Sequence, residues 1–299
     1  MKDVGRYNKY HRRSSVMAYV FIAPAMILLF AFSIFPMIAS LGMGFFDVNI
    51  FLADAKFIGL GNFSEAFRDT RFINSIWVTI KFTLVEVPAQ MLAGLLIAAL
   101  VTRNTVLNKF FRGVYFMPII CSATAVGIMW KMFLNSEIGL FTYFLEQIGI
   151  KGINFMNSTS LTFYVLVFMS IWKTFGISTI ILVSAMQNVS ADLYEASELD
   201  GCSKVRQFFS ITLPLIKPTA VFVLMTRLIG SLQVFDLIFT TTGGGPNFTT
   251  ESMVTYIYSR AFSTITRLGY ASALSECLFA FIMIITIFLY WKMYTKENT

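Results

Sequence analysis

Five ionisable side chains, Glu86, Lys173, Arg227, Asp236 and Glu276, lie inside long apolar runs of this 299-residue chain. A charge at such a position costs about 3 kcal/mol or more unless it is paired or hydrated, so each needs a reason. Lys173 and Arg227 each fall about a dozen residues into a run, near its middle. Arg227 shares a helix face with Ser231, while Gln233 and Asp236 pair up on an adjacent face, nearer one end. Two arrangements satisfy these groups. Internal ion pairs, such as Lys173 with Glu276 or Arg227 with Glu86, would make them structural. A water-filled path lined by the same side chains would make them functional. Lys81 and Lys131 lie nearer the ends of their runs, where a lysine stem can carry its ammonium to the interface.

Covalent and metal chemistry find little to work with. The single histidine, His11, sits in a basic tail, which excludes a His-centred triad and an HExxH metal motif. Cys121, Cys202 and Cys277 are far apart and show neither CxxC nor Cys/His spacing. There is no GxxxxGK[ST] phosphate loop and no GxSxG elbow. The sequence therefore implies no catalytic residue, no metal and no cofactor.

The elements that must position the intramembrane charges follow from composition. The chain is 57% hydrophobic and 13% charged, against roughly 45–50% and 25% for soluble domains. About 20 apolar residues cross a bilayer as a helix. Runs of that kind occupy 16–45, 76–101, 113–134, 161–186, 214–239 and 269–291. The first is too long for a signal-peptide core and lacks a small-x-small cleavage site. The fold class expected is all-α integral membrane with six spans. A transmembrane domain would cover 16–292, between a basic tail at 1–15 and a short tail at 293–299.

Cations are unevenly distributed between the two sides. Lys2, Arg6, Lys9, Arg12, Arg13, Arg103, Lys109, Arg112, Lys204, Arg206, Lys217, Lys292 and Lys296 fall on one side, and only Lys56, Arg68, Arg71, Lys151, Arg260 and Arg267 on the other. The positive-inside rule makes the first side, with both termini, cytoplasmic.

That side also holds the stretch YEASELDGCSKVRQFFSITLPLIKP, residues 194–218, the most polar part of the middle of the chain. Ser190 can cap a short helix over 191–199, with Asp192 in its first turn. Asp200-Gly201 would end it, glycine suiting the left-handed position. Ser203 can cap a second helix over 204–211, and Pro214 and Pro218 fit the start of the next span. Helices this short are marginal alone. Their acidic residues Asp192, Glu195, Glu198 and Asp200 suit a protein partner better than a lipid surface, which selects a basic polar face.

The stretch resembles the EAA loop of permease subunits of binding-protein-dependent ABC importers, EAA-x-x-x-G followed by I-x-L-P. It reads Glu195-Ala196-Ser197, then Gly201, then Ile211-Thr212-Leu213-Pro214, with serine in place of the third-position alanine. Asp200-Gly201-Cys202 stands where sugar-type members read DGA, and Ser190 where a proline often precedes the motif. FIGLGNF (57–63), TTGGGP (241–246) and LGYASALSECLF (268–279) are similar in content and order to maltose- and glycerol-phosphate-type permeases, so the resemblance covers nearly the whole chain.

The resemblance implies a six-span permease of the bacterial cytoplasmic membrane. It would pair with a different, related permease subunit, a cytoplasmic ATPase dimer and an extracytoplasmic solute-binding protein. The loop over about 187–217 would place Tyr194, Glu195, Ala196, Asp200, Gly201, Leu213 and Pro214 at the ATPase contact. The fourth and fifth spans would place Trp172, Lys173, Arg227, Ser231, Gln233 and Asp236 along the solute path. Two mid-depth cations there suit an anionic or phosphorylated sugar. Trp172, Phe175 and Phe235 offer ring faces to a sugar, although any one of them also serves ordinary packing. The chain itself would be no enzyme, because the partner hydrolyses ATP. The rival readings are an ion-coupled secondary transporter of a small polar solute, using Glu86, Asp236 and Glu276 as proton relays, and an intramembrane enzyme, for which no usable motif exists.

Overall fold

The computed structural model describes residues 17–51, 55–263 and 266–294. The tail expected over 1–15, with His11 and five of the cations counted above, lies outside the described residues, as does Lys296 near the other terminus. The long helices are α1 (Met17–Met43), α2 (Thr70–Val101), α3 (Val106–Ile120), α4 (Ala123–Phe133), α5 (Leu161–Gln187), α6 (Ala191–Leu199), α7 (Lys217–Leu232), α8 (Asp236–Thr241) and α9 (Leu268–Tyr294). Five helical stretches are long and apolar enough to cross a membrane, and a sixth is obtained if the bent pair α3–α4 is one span. Every apolar run read from the sequence is therefore a helix or a helix pair.

Two of those runs are not the continuous helices that hydropathy suggests. The run over 113–134 becomes α3 and α4, which meet at 97°. Pro118, inside α3, lacks the N–H owed to Val114 and crowds its carbonyl. The helix ends within a turn, at Cys121 in extended backbone. At its other end α3 starts well before position 113, because Thr105 Oγ1 accepts from Asn108 N at 3.2 Å. The run over 214–239 is interrupted at Gln233, Val234 and Phe235, between α7 and α8. The carbonyl that this break frees at Val234 accepts from Ser252 Oγ at 2.7 Å.

The chain divides into two compact units. One runs to Ala66 and takes in Arg260–Glu276; the other comprises Phe67–Ser259 and resumes at Cys277. In the first unit, α1 leads into an antiparallel β-ribbon, β1 (Phe46–Asp47) with β2 (Lys56–Phe57), paired Phe46 to Phe57. Asn62, the polar residue of FIGLGNF, is 1% exposed. Its Nδ2 donates to the carbonyls of Gly44 and Phe46, at 2.9 Å each. Arg267 clasps Glu65 through both guanidinium nitrogens, and that pairing raises the Arg267 pKa above its ordinary value.

In the second unit α2 and α5 form the spine. A Cβ at Gly176 would stand 2.0 Å from the Tyr115 carbonyl oxygen, so α3 crosses α5 with backbones in contact. Small residues permit such approach where lipid supplies no hydrophobic drive between helices. Two apolar clusters grip the spine at opposite ends. One joins Val78 and Phe82 of α2 to Phe163, Leu166 and Met169 of α5, Val126 of α4 and Ile238 of α8. The other joins Ala98 and Val101 to Leu182, Val183 and Met186, with Ile216 and Val223.

Candidate functional site

Between those clusters the spine is polar. Ser170 Oγ donates to Glu86 Oε1 at 3.2 Å, Gln90 Nε2 to Ser178 Oγ at 3.3 Å, and Ser231 Oγ to Thr83 Oγ1 at 3.2 Å. Glu86 is 3% exposed, and its Oε2 has no hydrogen-bond partner among the described residues. Arg227 of α7 is the cation that Glu86 feels, yet no salt bridge closes between them. The expected Arg227–Glu86 ion pair is thus an arrangement of facing charges rather than a contact. Lys173 and Glu276, the other expected pair, belong to different units. Lys173 is half-buried with no ionic partner among the described residues, and Glu276 Oε1 is buried without a hydrogen-bond partner.

The structure gathers some of the predicted path residues and separates others. Arg227 and Ser231 belong to the polar layer with Glu86 and Thr83. Trp172 packs edge-on against Trp130, ring centroids 5.5 Å apart, beside the apolar cluster of Val78 and Phe82. Gln233 and Asp236 are exposed and flank the break between α7 and α8, and no bond joins them as the helical spacing suggested. Non-helical backbone within a span occurs where it is buried in protein or lines a water-filled cavity. Phe235 stacks on Phe239 at 5.1 Å and touches Tyr258, which is packing.

The 187–217 loop folds as its caps predict. Ser190 Oγ accepts from Asp192 N at 3.3 Å, and Ser203 Oγ from Arg206 N at 3.4 Å. Gly201 has φ +73°, and Cys202 N donates to the Ser197 carbonyl at 2.9 Å, which closes a Schellman turn at the end of α6. The second helix is shorter than expected: it is regular over Lys204–Gln207 and widens into a π-turn over Phe208–Thr212.

One residue, unremarked in the sequence, holds the two pieces together. Gln207, 3% exposed, donates to the Tyr194 carbonyl at 3.2 Å and to Ser197 Oγ at 2.8 Å. The Tyr194 hydroxyl meets Thr212 Oγ1 at 2.8 Å, so its ring is an internal strut. No residue of α6 is buried. Glu195, Ala196, Asp200, Gly201 and Pro214 are exposed, and Leu213 is half-buried. Glu198 pairs with Lys204, whose hydrogen bond and charge hold its carboxyl below the ordinary range.

A third polar assembly lies at the other end of α2. Asp69 caps that helix, its Oδ1 accepting from Arg71 N at 2.9 Å and Phe72 N at 3.3 Å, and Tyr256 donates to its Oδ2. Arg71 forms a two-pronged pair with Glu251, 2.7 Å on each prong, and lies 3.8 Å above the Phe248 ring. Glu251 is 1% exposed. Asn74 Nδ2 donates to the Phe248 carbonyl at 2.9 Å. Phe248 and Asn247 hold φ of +59° and +48°, strained for residues with a Cβ. Sequence reasoning saw the TTGGGP turn but not the clamp. Its signal was there, an Asp69/Arg71 pair at a helix start and a lone acid directly after the turn.

Five spans among the described residues, or six with the bent pair, a polar layer across α2, α5 and α7 and an uncovered α6 fit a membrane transport subunit. Residues 90–292 match the family described as binding-protein-dependent transport system inner membrane component, and the chain belongs to that family. It is 33% identical over 272 residues to the sulfoquinovosyl glycerol transport system permease protein SmoG of Agrobacterium fabrum, covering 91% of this chain and 88% of that one. It is 31% identical to the sn-glycerol-3-phosphate transport system permease protein UgpA of Escherichia coli O157:H7, over 92% and 93%. A crystal structure of a bacterial alginate ABC transporter, in complex with an alginate pentasaccharide-bound periplasmic protein, shares the fold. The TM-score is 0.84 at 23% identity, covering 96% of this chain and 97% of that one. The protein is an inner-membrane permease component of an ABC importer, and the resemblance read from its motifs holds.

Proposed function

We propose that this chain is one of two permease subunits of a sugar importer, with both termini cytoplasmic. The 187–217 loop docks α6 into a cytoplasmic ATPase dimer. The observation that carries this is α6 itself: capped at both ends, fixed from behind by Gln207, and buried nowhere. A helix so thoroughly built and so little covered is shaped for an occupant outside this chain. ATP-driven closure of the partner would push on the loop, and the permease pair would rock between inward- and outward-facing forms. An extracytoplasmic binding protein would deliver solute to the opposite face, as the alginate complex supports by analogy.

The solute would pass the polar layer of α2, α5 and α7. Arg227 faces it, and Gln233 and Asp236 mark the break above it. Relatives named for sulfoquinovosyl glycerol and glycerol phosphate handle anionic solutes, which suits Arg227 and Lys173. The test is co-purification of the ATPase from membranes. Gly201→Asp and Glu195→Lys should abolish it while the permease stays inserted at normal levels. Undiminished co-purification in both variants would overturn the docking assignment.

A further inference from the structure

A cavity of about 350 Å³ opens in the second unit among the end of α4, the 154–157 segment and the TTGGGP turn, within the roughly 300–1,000 Å³ of ligand pockets. Lys131, Asn135, Asn154, Asn157, Thr241 and Thr242 line it, and no carboxylate does. The donor side of this lining is unspent. Asn135 Oδ1 accepts from Glu137 N at 2.8 Å and from Ile138 N at 3.1 Å, and Asn154 Oδ1 accepts from Asn157 N at 3.1 Å. Those bonds fix the amide orientations, so both Nδ2 groups are directed away from their own turns. Neither they, nor the Asn157 amide, nor the Lys131 ammonium has a hydrogen-bond or ionic partner among the described residues.

The wall opposite is rigid. Gly243 and Gly244 hold φ of +60° and +95°, and Thr250 Oγ1 ties back to the Gly245 carbonyl at 2.7 Å. The buried Arg71–Glu251 pair anchors the far side of that turn. Glycine takes these angles without strain, so the turn holds its shape against the clamp at no cost.

A pocket with one cation, three idle amides and no acid selects a ligand rich in acceptors and negative in charge. We infer that this cavity is a saccharide site, distinct from the polar layer of α2, α5 and α7, that binds an acidic sugar unit. The acid group sits at Lys131 and the ring hydroxyls at the asparagine amides. The inference rests on the sugar-importer reading and names the substrate class for it.

The test uses the assembled importer in phosphatidylcholine nanodiscs, with glucuronate, glucose 6-phosphate and glucose as probes in saturation-transfer NMR. Both acids should bind, glucose at least tenfold more weakly. Lys131→Gln and Asn154→Leu should each reduce acid binding about tenfold, and Lys131→Arg should retain it. No acid binding, equal binding of glucose, or binding unchanged in the Lys131→Gln/Asn154→Leu double variant would overturn the site. A solute-binding protein whose docking weakens in Lys131→Gln, with no probe bound, would also overturn it, because the occupant would then be a protein carboxylate. Gly201→Asp, purified without its ATPase in the same nanodiscs, should leave probe binding intact. In proteoliposomes, uptake lost in Gly201→Asp with probe binding kept is the coupling failing and not the site; binding lost in Lys131→Gln with ATPase association kept isolates the site.

Discussion

In the 242–252 loop the Glu251 carboxylate is 1% exposed and tied twice to Arg71, whereas in the 187–217 loop no residue of α6 is buried. Both loops are polar excursions between apolar helices, and both use glycine in the left-handed region, at Gly243 and Gly244 in one and Gly201 in the other. The first turns its charge inward and spends it on α2, so that the start of that span and the turn become a single rigid piece. The second holds itself together with Gln207, Tyr194, Ser197 and the exposed Glu198–Lys204 pair, and leaves Glu195 and Asp200 facing out. Charge buried against its own chain holds a scaffold; charge kept exposed on a well-capped helix is available to something else.

The sharpest way to break this contrast is at Glu251. Glu251→Ala leaves Arg71 without its partner, and because Arg71 keeps access to water the cost falls at about 3 kcal/mol, the low end for a buried pair. The expected outcome is a large fall in Tm of the purified protein, with Arg71→Lys intermediate because a lysine cannot make the two-pronged contact. Gln207→Leu comes next. It removes the two bonds that Gln207 makes to α6 and should cost about 1–3 kcal/mol locally. Amide exchange should speed up across α6 and not across α2.

Gly201→Ala is smaller in stability. A Cβ in the left-handed region costs about 1–2 kcal/mol, and ATPase co-purification should fall about tenfold while Tm hardly moves. Lys204→Gln should be the mildest. Its exposed pair with Glu198 is screened by water and salt, so Tm at pH 7 should not change. Because Lys204 holds the Glu198 carboxyl below its ordinary value of 4.5, the pair contributes above that pH and fades as pH falls below it. The small difference in α6 helicity between parent and variant at pH 7 should vanish on titration into acid.

Most of the architecture could be read from local pattern. Hydropathy located the apolar runs, and Ser190 and Gly201 bounded α6 to the residue, because a cap acts within one turn of itself. What escaped was long-range. Arg71 and Glu251 are 180 positions apart, and nothing in either neighbourhood names the other. Asn62 looked like turn chemistry until the Gly44 and Phe46 carbonyls were found beside it. The breaks at Cys121 and Gln233 were hidden because average hydropathy is blind to backbone direction; only Pro118 hinted at the first. The intramembrane charges were legible as a problem but not as a solution. Whether Arg227 meets Glu86 or merely faces it depends on how α7 leans on α2, which spacing along one helix cannot reveal.

The contact at Gly176 has a mechanical consequence. Where side chains interlock, two helices can slip by exchanging rotamers. Where one main chain rests on another, as the Tyr115 carbonyl does on Gly176, there are no rotamers to exchange. The junction of α3 and α5 therefore behaves as a bearing with fixed clearance, through which a push at one end of α5 passes to α3 undiminished.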